Sequence, residues 1–155
     1  MKNKKFLFVL LCGVLLFALT GCGNKKAITM SEFKSAVEDA GLTVLDSDSS
    51  EGTDSIKEIG TAYSEDFDVM AMFYIYESKS AAEEDFEDSV ESIDTKSNTS
   101  ISMGNYNTFE GSLDDDELSG YDYIYISRVD DTILMFVAKS EKKSEVKDIV
   151  KKLGY

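Results

Sequence analysis

"GYDYIYISRVDDTILMFVAKS", residues 120–140, alternates its side chains on either side of an Asp-Asp pair. Successive side chains of a β-strand leave opposite faces, so alternation of this kind reads as a strand. Two such runs separated by two residues read as a hairpin, and Asp tolerates a positive φ better than most residues. With Asp130 and Asp131 as the turn, Val129 faces Thr132, Tyr125 pairs with Phe136 and Tyr123 with Ala138. One face then carries Tyr123, Tyr125, Leu134, Phe136 and Ala138, and the other Ile124, Ile126, Ile133, Met135 and Val137.

An earlier stretch echoes this one. "VMAMFYIYESKSAAEEDF" (69–86) lines up with "TILMFVAKSEKKSEVKDI" (132–149) at a spacing of 63 residues. The echo reads either as an old duplication or as two strand-to-helix units of similar design. It places Val69, Ala71, Phe73 and Ile75 on the first face, and Met70, Met72, Tyr74 and Tyr76 on the second. On the first face, Ala71 and Ala138 leave gaps between large rings where helices pack closely, so this face is expected to be the covered core. The second is then an exposed surface, larger than a soluble monomer usually tolerates and rich in adaptable thioethers. Its candidate binding residues are Met70, Met72, Tyr74, Ile124, Ile126 and Met135. The alternative is that the helices divide between both faces and leave plain core on each.

Further elements follow from local signals. Thr29 and Glu32 form a capping box, with Ile28 and Phe33 as its hydrophobic staple, and Gly41 ends the helix they open. "LTVLDSDS" and "IKEIGTAYS" read as strands, and "FDVMAMFYIY" as the strongest strand. Ser80 and Glu83 offer a second capping box to a helix lined by Ala82, Phe86, Val90 and Ile93. One strand is expected near "ISMGNYNTFEG". Val146, Ile149, Val150 and Leu153 line a last helix, with Gly154 as its stop. The order α-β-β-β-α-β-β-β-α implies an α+β, two-layer domain with a mainly antiparallel sheet and helices mainly on one face.

The first stretch stands apart from that domain. "MKNKK" is a positively charged leader, and "FLFVLLCGVLLFAL" (6–19) is an apolar run short of a spanning helix. It ends in "LTGC", Leu19 to Cys22, which resembles the lipobox of bacterial lipoproteins. The resemblance implies diacylglyceryl transfer to the Cys22 sulfur and cleavage before it. Residues 1–21 are then a signal peptide, 22–27 a lipidated cysteine with a short tether, and 28–155 one domain on the extracytoplasmic face of the cell membrane. An ordinary secretory signal, or an N-terminal membrane helix, is the other reading. Cys12 would be discarded and Cys22 blocked, so the domain has no thiol, disulfide or cysteine metal ligand.

The chain carries 16 Lys+Arg against 30 Asp+Glu. Removal of Lys2, Lys4 and Lys5 leaves 13 positive side chains against 30 negative, a net of −17. Such a domain repels phosphate, so nucleic acid is not an expected partner. Membrane attachment must come through the acyl chains on Cys22, helped at most by Lys25 and Lys26.

Catalytic motifs are sparse. Without histidine there is no Ser-His-Asp or Cys-His arrangement and no His-based zinc site, and no phosphate-binding glycine motif occurs. No cofactor is implied. "SDSSEGTDSIKE" has Gly and Glu at calcium-hand positions, but Ser47 stands where Asp is required. Asp114, Asp115, Asp116 and Glu117 are either a loose Ca²⁺ site or a solvated acidic loop. Arg128, the single arginine, either receives an anionic ligand or pairs with Asp122, Asp130, Asp131 or a nearby Glu.

"SRVDDTILMF", the terminal "KKLGY", and Phe33 with Gly41 resemble a group of short lipoproteins from Gram-positive Firmicutes. That resemblance implies a location and a domain type but no mechanism. The reading that follows is a membrane-anchored, non-enzymatic binding module for a protein or envelope component. Its alternatives are a carboxylate-based envelope hydrolase and a Ca²⁺-dependent adhesion module.

Overall fold

A computed structural model describes residues 24–45, 55–113 and 120–155. The apolar leader, Cys22 and the acidic stretch Asp114 to Glu117 lie outside the described residues. The elements are α1 (Met30–Asp39), β1 (Thr43–Leu45), β2 (Ile56–Tyr63), β3 (Val69–Tyr76), α2 (Lys79–Ser92), β4 (Thr95–Met103), β5 (Tyr106–Leu113), β6 (Tyr123–Val129), β7 (Thr132–Ala138) and α3 (Lys143–Leu153). A 3₁₀ turn, Ser140–Lys142, leads into α3. All strands join one antiparallel sheet in the order β1-β2-β3-β7-β6-β5-β4, which makes the domain α+β.

Local chemistry accounts for the helix ends. Thr29 Oγ1 accepts the Glu32 N–H at 3.2 Å while the Glu32 carboxylate accepts the Thr29 N–H at 2.7 Å, completing the capping box. At the other end Gly41 takes φ 87°, and the N–H groups of Gly41 and Leu42 reach back to the carbonyls of Glu38 and Val37, both at 2.9 Å. The second helix begins earlier than its Ser80–Glu83 pattern suggests. Ser78 is the cap, accepting the Ala81 N–H at 3.1 Å.

The β6–β7 hairpin has the expected register, with Val129 opposite Thr132, Tyr125 opposite Phe136 and Tyr123 opposite Ala138. Asp130 supplies the left-handed residue of the turn, at φ 52°. The stretch around "ISMGNYNTFEG" is not one strand but the β4–β5 hairpin, reversing at Gly104 with φ 54°. The second half therefore carries one strand more than its sequence pattern suggests.

Both sheet faces are covered, which replaces the expected two layers with three. Phe33, Ala36 and Val37 of α1 and Val146, Ile149 and Val150 of α3 pack on Val69, Ala71, Phe73, Tyr123, Tyr125, Leu134 and Phe136. Ala82 and Phe86 of α2 pack on the opposite side, against Tyr76, Phe109, Leu113, Ile124, Ile126, Ile133 and Val137. The cause is that both faces of the central strands are apolar, so each needs a helix. Each large side chain buried this way contributes about 1.5–3 kcal/mol. No helix among the described residues is long and apolar enough to cross a membrane.

Candidate functional site

The six residues read as a binding face divide in the fold. Ile124 and Ile126 lie beneath α2 with 1% and 0% of their surface exposed, so they are core. An exposed position for them requires an uncovered second face, and α2 covers it with Ala82 and Phe86. Met70, Tyr74 and Met135 are half-buried at the margin of the same cluster. Met72 is half-buried too, and its sulfur accepts the Tyr74 hydroxyl at 3.2 Å.

What leaves this margin open is the width of one helix. The packing of α2 is on β6, β3 and β7. Among the described residues no helix packs over the same face of β1 and β2. A bulge between Ile56 and Glu58 resets the strand, so that Ile59 sits opposite Tyr74, Thr61 opposite Met72 and Tyr63 opposite Met70. Leu45 lies opposite Thr61 on the other side and is 46% exposed. The result is a strip of thioethers, phenols and aliphatic groups running down β2 and β3.

Phe67 ends the strip. It is 59% exposed and takes φ 57°, a conformation costly for a residue with a side chain. The surrounding turn enforces it. Ser64 donates its hydroxyl to Asp66 at 2.5 Å and accepts the Val69 N–H at 3.0 Å, while the Phe67 N–H reaches the Ser64 carbonyl at 2.9 Å. The Tyr121 hydroxyl donates to the Phe67 carbonyl at 2.8 Å. The Phe67 ring stacks on Tyr63 with centroids 4.9 Å apart and planes 3° from parallel. Tyr63, Thr61, Leu45 and Phe67 did not figure among the candidates. The odd-numbered alternation of Ile59, Thr61 and Tyr63 was the available signal.

Arg128 is internal, 5% exposed, beneath the first turn of α2. Its Nε donates to Asn107 Oδ1 at 2.8 Å, its Nη1 to the Asp130 main-chain carbonyl at 3.1 Å, and its Nη2 meets Glu83 at 3.4 Å. The Asp130 carboxylate takes Lys79 instead, at 2.6 Å. Among the readings of Arg128, the geometry is that of a local pair with a nearby Glu, and it adds an amide that sequence did not single out.

Two carboxylates, Asp66 and Glu110, are held toward the anionic state. The Ser64 hydroxyl and the Asp68 N–H keep Asp66 below the usual carboxylate range. Burial pushes Glu110 up, but Lys143 at 2.6 Å and Lys147 at 3.0 Å outweigh it and the net shift is downward. A general acid needs the opposite shift. The buried Tyr123 hydroxyl has no hydrogen-bond partner among the described residues, and the Lys143 ammonium sits 5.0 Å from its ring centroid. No group of three or more His, Cys, Asp or Glu among the described residues is placed to hold a metal.

No protein-family model and no curated protein sequence matches the chain. A solved structure does: the crystal structure of a GTP binding regulator from Thermotoga maritima superposes with a TM-score of 0.53, covering 85% of this chain and 92% of that one. The likeness is one of fold. At 10% identity it carries no residue of the strip across, and GTP binding is a description of that protein.

Proposed function

We propose that this chain is a membrane-anchored extracytoplasmic binding module, held by lipid on Cys22, that engages a protein or envelope component without turning it over. The observation that carries the binding reading is the open strip of Met70, Met72, Tyr74, Tyr63 and Phe67 beside α2. Thioethers re-pack around varied apolar shapes, and stacked rings on a rigid turn present large contact area at little entropic cost. The anchor is supported by the order of charge, apolar run, small residues and cysteine at the N-terminus.

Photo-crosslinking of the full chain in cells tests the strip. A photoreactive residue at position 72 is expected to give a discrete adduct, and one at exposed Lys151 on α3 is not. Matching patterns at both positions would sink the binding reading. The anchor is tested separately by the intact mass of the membrane-extracted protein, which should begin at a diacylglyceryl-cysteine, and by Cys22→Ser, which should leave the chain unprocessed.

A further inference from the structure

We propose that the domain rests on the bilayer by its β4–β5 end, with Met103 and Ile101 against lipid and Lys25 and Lys26 at headgroup level. The proposal depends on the lipid anchor at Cys22 and specifies how the anchored domain is oriented.

Three observations converge on that end. Lys25 is clasped there through its main chain. Its N–H donates to Asn105 Oδ1 at 3.0 Å, and Asn105 Nδ2 donates to its carbonyl at 2.7 Å. Its ammonium lies 4.7 Å from the Tyr106 ring centroid. Cys22 is three residues earlier, so lipid on its sulfur starts within ~10 Å of the clasp along an extended chain. An anchor so close leaves the β4–β5 turn little freedom to lift off the surface.

The second observation is apolar exposure. Met103 is 51% exposed and Ile101 47%, and strand alternation puts both on one side of β4, opposite Tyr106 and Thr108. They belong to the edge strand, whose outer side pairs with no described strand.

The third is charge. In a chain with 30 acidic residues, none occurs from Thr95 to Phe109. Elsewhere an anionic membrane repels this protein, whereas here Lys25 and Lys26 approach it beside a turn whose flanking residues, Thr95 to Phe109, hold no carboxylate. In the neighbouring turn Asp130 is paired with Lys79 at 2.6 Å, and Asp131 sits beside it. The strip's aromatic tip points the other way. Val69 pairs with Ala138 at one end of the sheet and Ile75 with Thr132 at the other, so Phe67 lies at the end remote from Asn105 and Asp130.

The test uses the full-length lipidated chain in vesicles of phosphatidylglycerol and phosphatidylethanolamine. Once Cys22 is blocked, Met103→Cys supplies the only thiol for a fluorophore, and Glu65→Cys, beside Phe67, supplies the comparison. Lipids carrying nitroxides in their acyl chains should quench the label at position 103 several-fold more than that at 65. Equal quenching on vesicle-bound protein overturns the orientation and leaves the anchor standing. A label at 103 shielded from both lipid and aqueous quenchers, on a particle of doubled mass, overturns it in favour of β4 pairing with a second copy. A chain without lipid on Cys22, or one that does not bind vesicles, overturns anchor and orientation together.

Discussion

Met72 and Met135 stand opposite each other across the β3–β7 ladder, and they mark the centre of a local two-fold in the sheet. Rotation about that point carries Met70 onto Ile133, Phe73 onto Phe136 and Tyr74 onto Val137, each pair on one face. The helices break the symmetry, because α2 packs on the Ile124 side and α3 on the Tyr123 side. A two-fold perpendicular to a sheet keeps matched helices on one face. The divergence begins where Tyr76 continues its strand and Lys139, its counterpart, leads into the 3₁₀ turn. The repetition is thus one of strands. Among the described residues one face of β1 and β2 is left without a helix, because α2 packs on β3, β7 and β6.

At Gly60 two side chains of α1, Met30 and Phe33, pack directly onto the sheet backbone. A Cβ there would lie 2.6 Å from Met30 Sδ and 3.0 Å from Phe33 Cε1. The Met30 thioether can swing away. The Phe33 ring cannot, since it stacks on Phe73 with centroids 5.2 Å apart. Gly60→Ala is therefore expected to destabilise the domain by about 1–3 kcal/mol, read from urea unfolding, with an unchanged slope. A neutral result would mean that α1 shifts freely on the sheet.

Arg128 should resist conservative exchange. Its planar fork spans Asn107, Glu83 and the Asp130 carbonyl from a site that is 5% exposed. A lysine ammonium offers a single point and cannot reach all three. Glu83 is 55% exposed and can return to water, so the loss comes mainly from Asn107 and the main-chain carbonyl. Both Arg128→Lys and Arg128→Met are expected to cost about 1–3 kcal/mol in chemical denaturation. Full stability in the lysine variant would show that one bond suffices.

Much of this arrangement is legible in the chain, and the rest fails for identifiable reasons. Asp130-Asp131 determines the register of β6 on β7 because a two-residue turn admits one pairing, and the echo extends the face assignment to β3. The Thr29–Glu32 box marks α1 because both partners are local. The β4–β5 reversal is obscure because "TKSNTSISM" is polar on both sides up to Ser100, so Ile101 and Met103 alone are too short an alternation to mark an edge strand. Which face α2 takes is a long-range choice, and that choice turned Ile124 and Ile126 from candidate surface into core. Ser80–Glu83 looks like a cap, yet Ser78 wins by meeting the chain where β3 ends.

Alkaline pH should loosen the fold through its buried phenols. Burial pushes Tyr155 up to about 12 from an ordinary 10.0, although its bond to Thr132 pulls the other way. Burial also raises Tyr76 and Tyr123. A phenol whose folded pKa exceeds its unfolded value contributes fully below the unfolded pKa and loses that contribution as pH rises through the folded one. Thermal midpoints should thus hold to about pH 10 and then fall, with Tyr155 alone giving up on the order of 2–3 kcal/mol by pH 12. Tyr155→Phe should flatten that decline. A midpoint that stays level while phenolate absorbance rises would refute it.

The last prediction separates the open strip from the core beside it, where the same face holds both. Ile126 is wholly buried under α2, and truncating it leaves a void that neighbours fill only in part. Ile126→Ala is expected to cost about 2–5 kcal/mol. Met72 lies on the same face two strands away, half-exposed, and loses little buried surface when shortened. Met72→Ala should cost about 1 kcal/mol or less, since only part of its side chain leaves an apolar contact. Binding of an environment-sensitive hydrophobic dye to the folded protein gives the second readout. Met72→Ala should weaken it, because the thioether is part of the surface the dye sees, and Met72→Glu should weaken it further at similar stability. If Met72→Ala instead destabilises as much as Ile126→Ala and leaves dye binding untouched, the strip is core in solution and the binding face must be sought elsewhere.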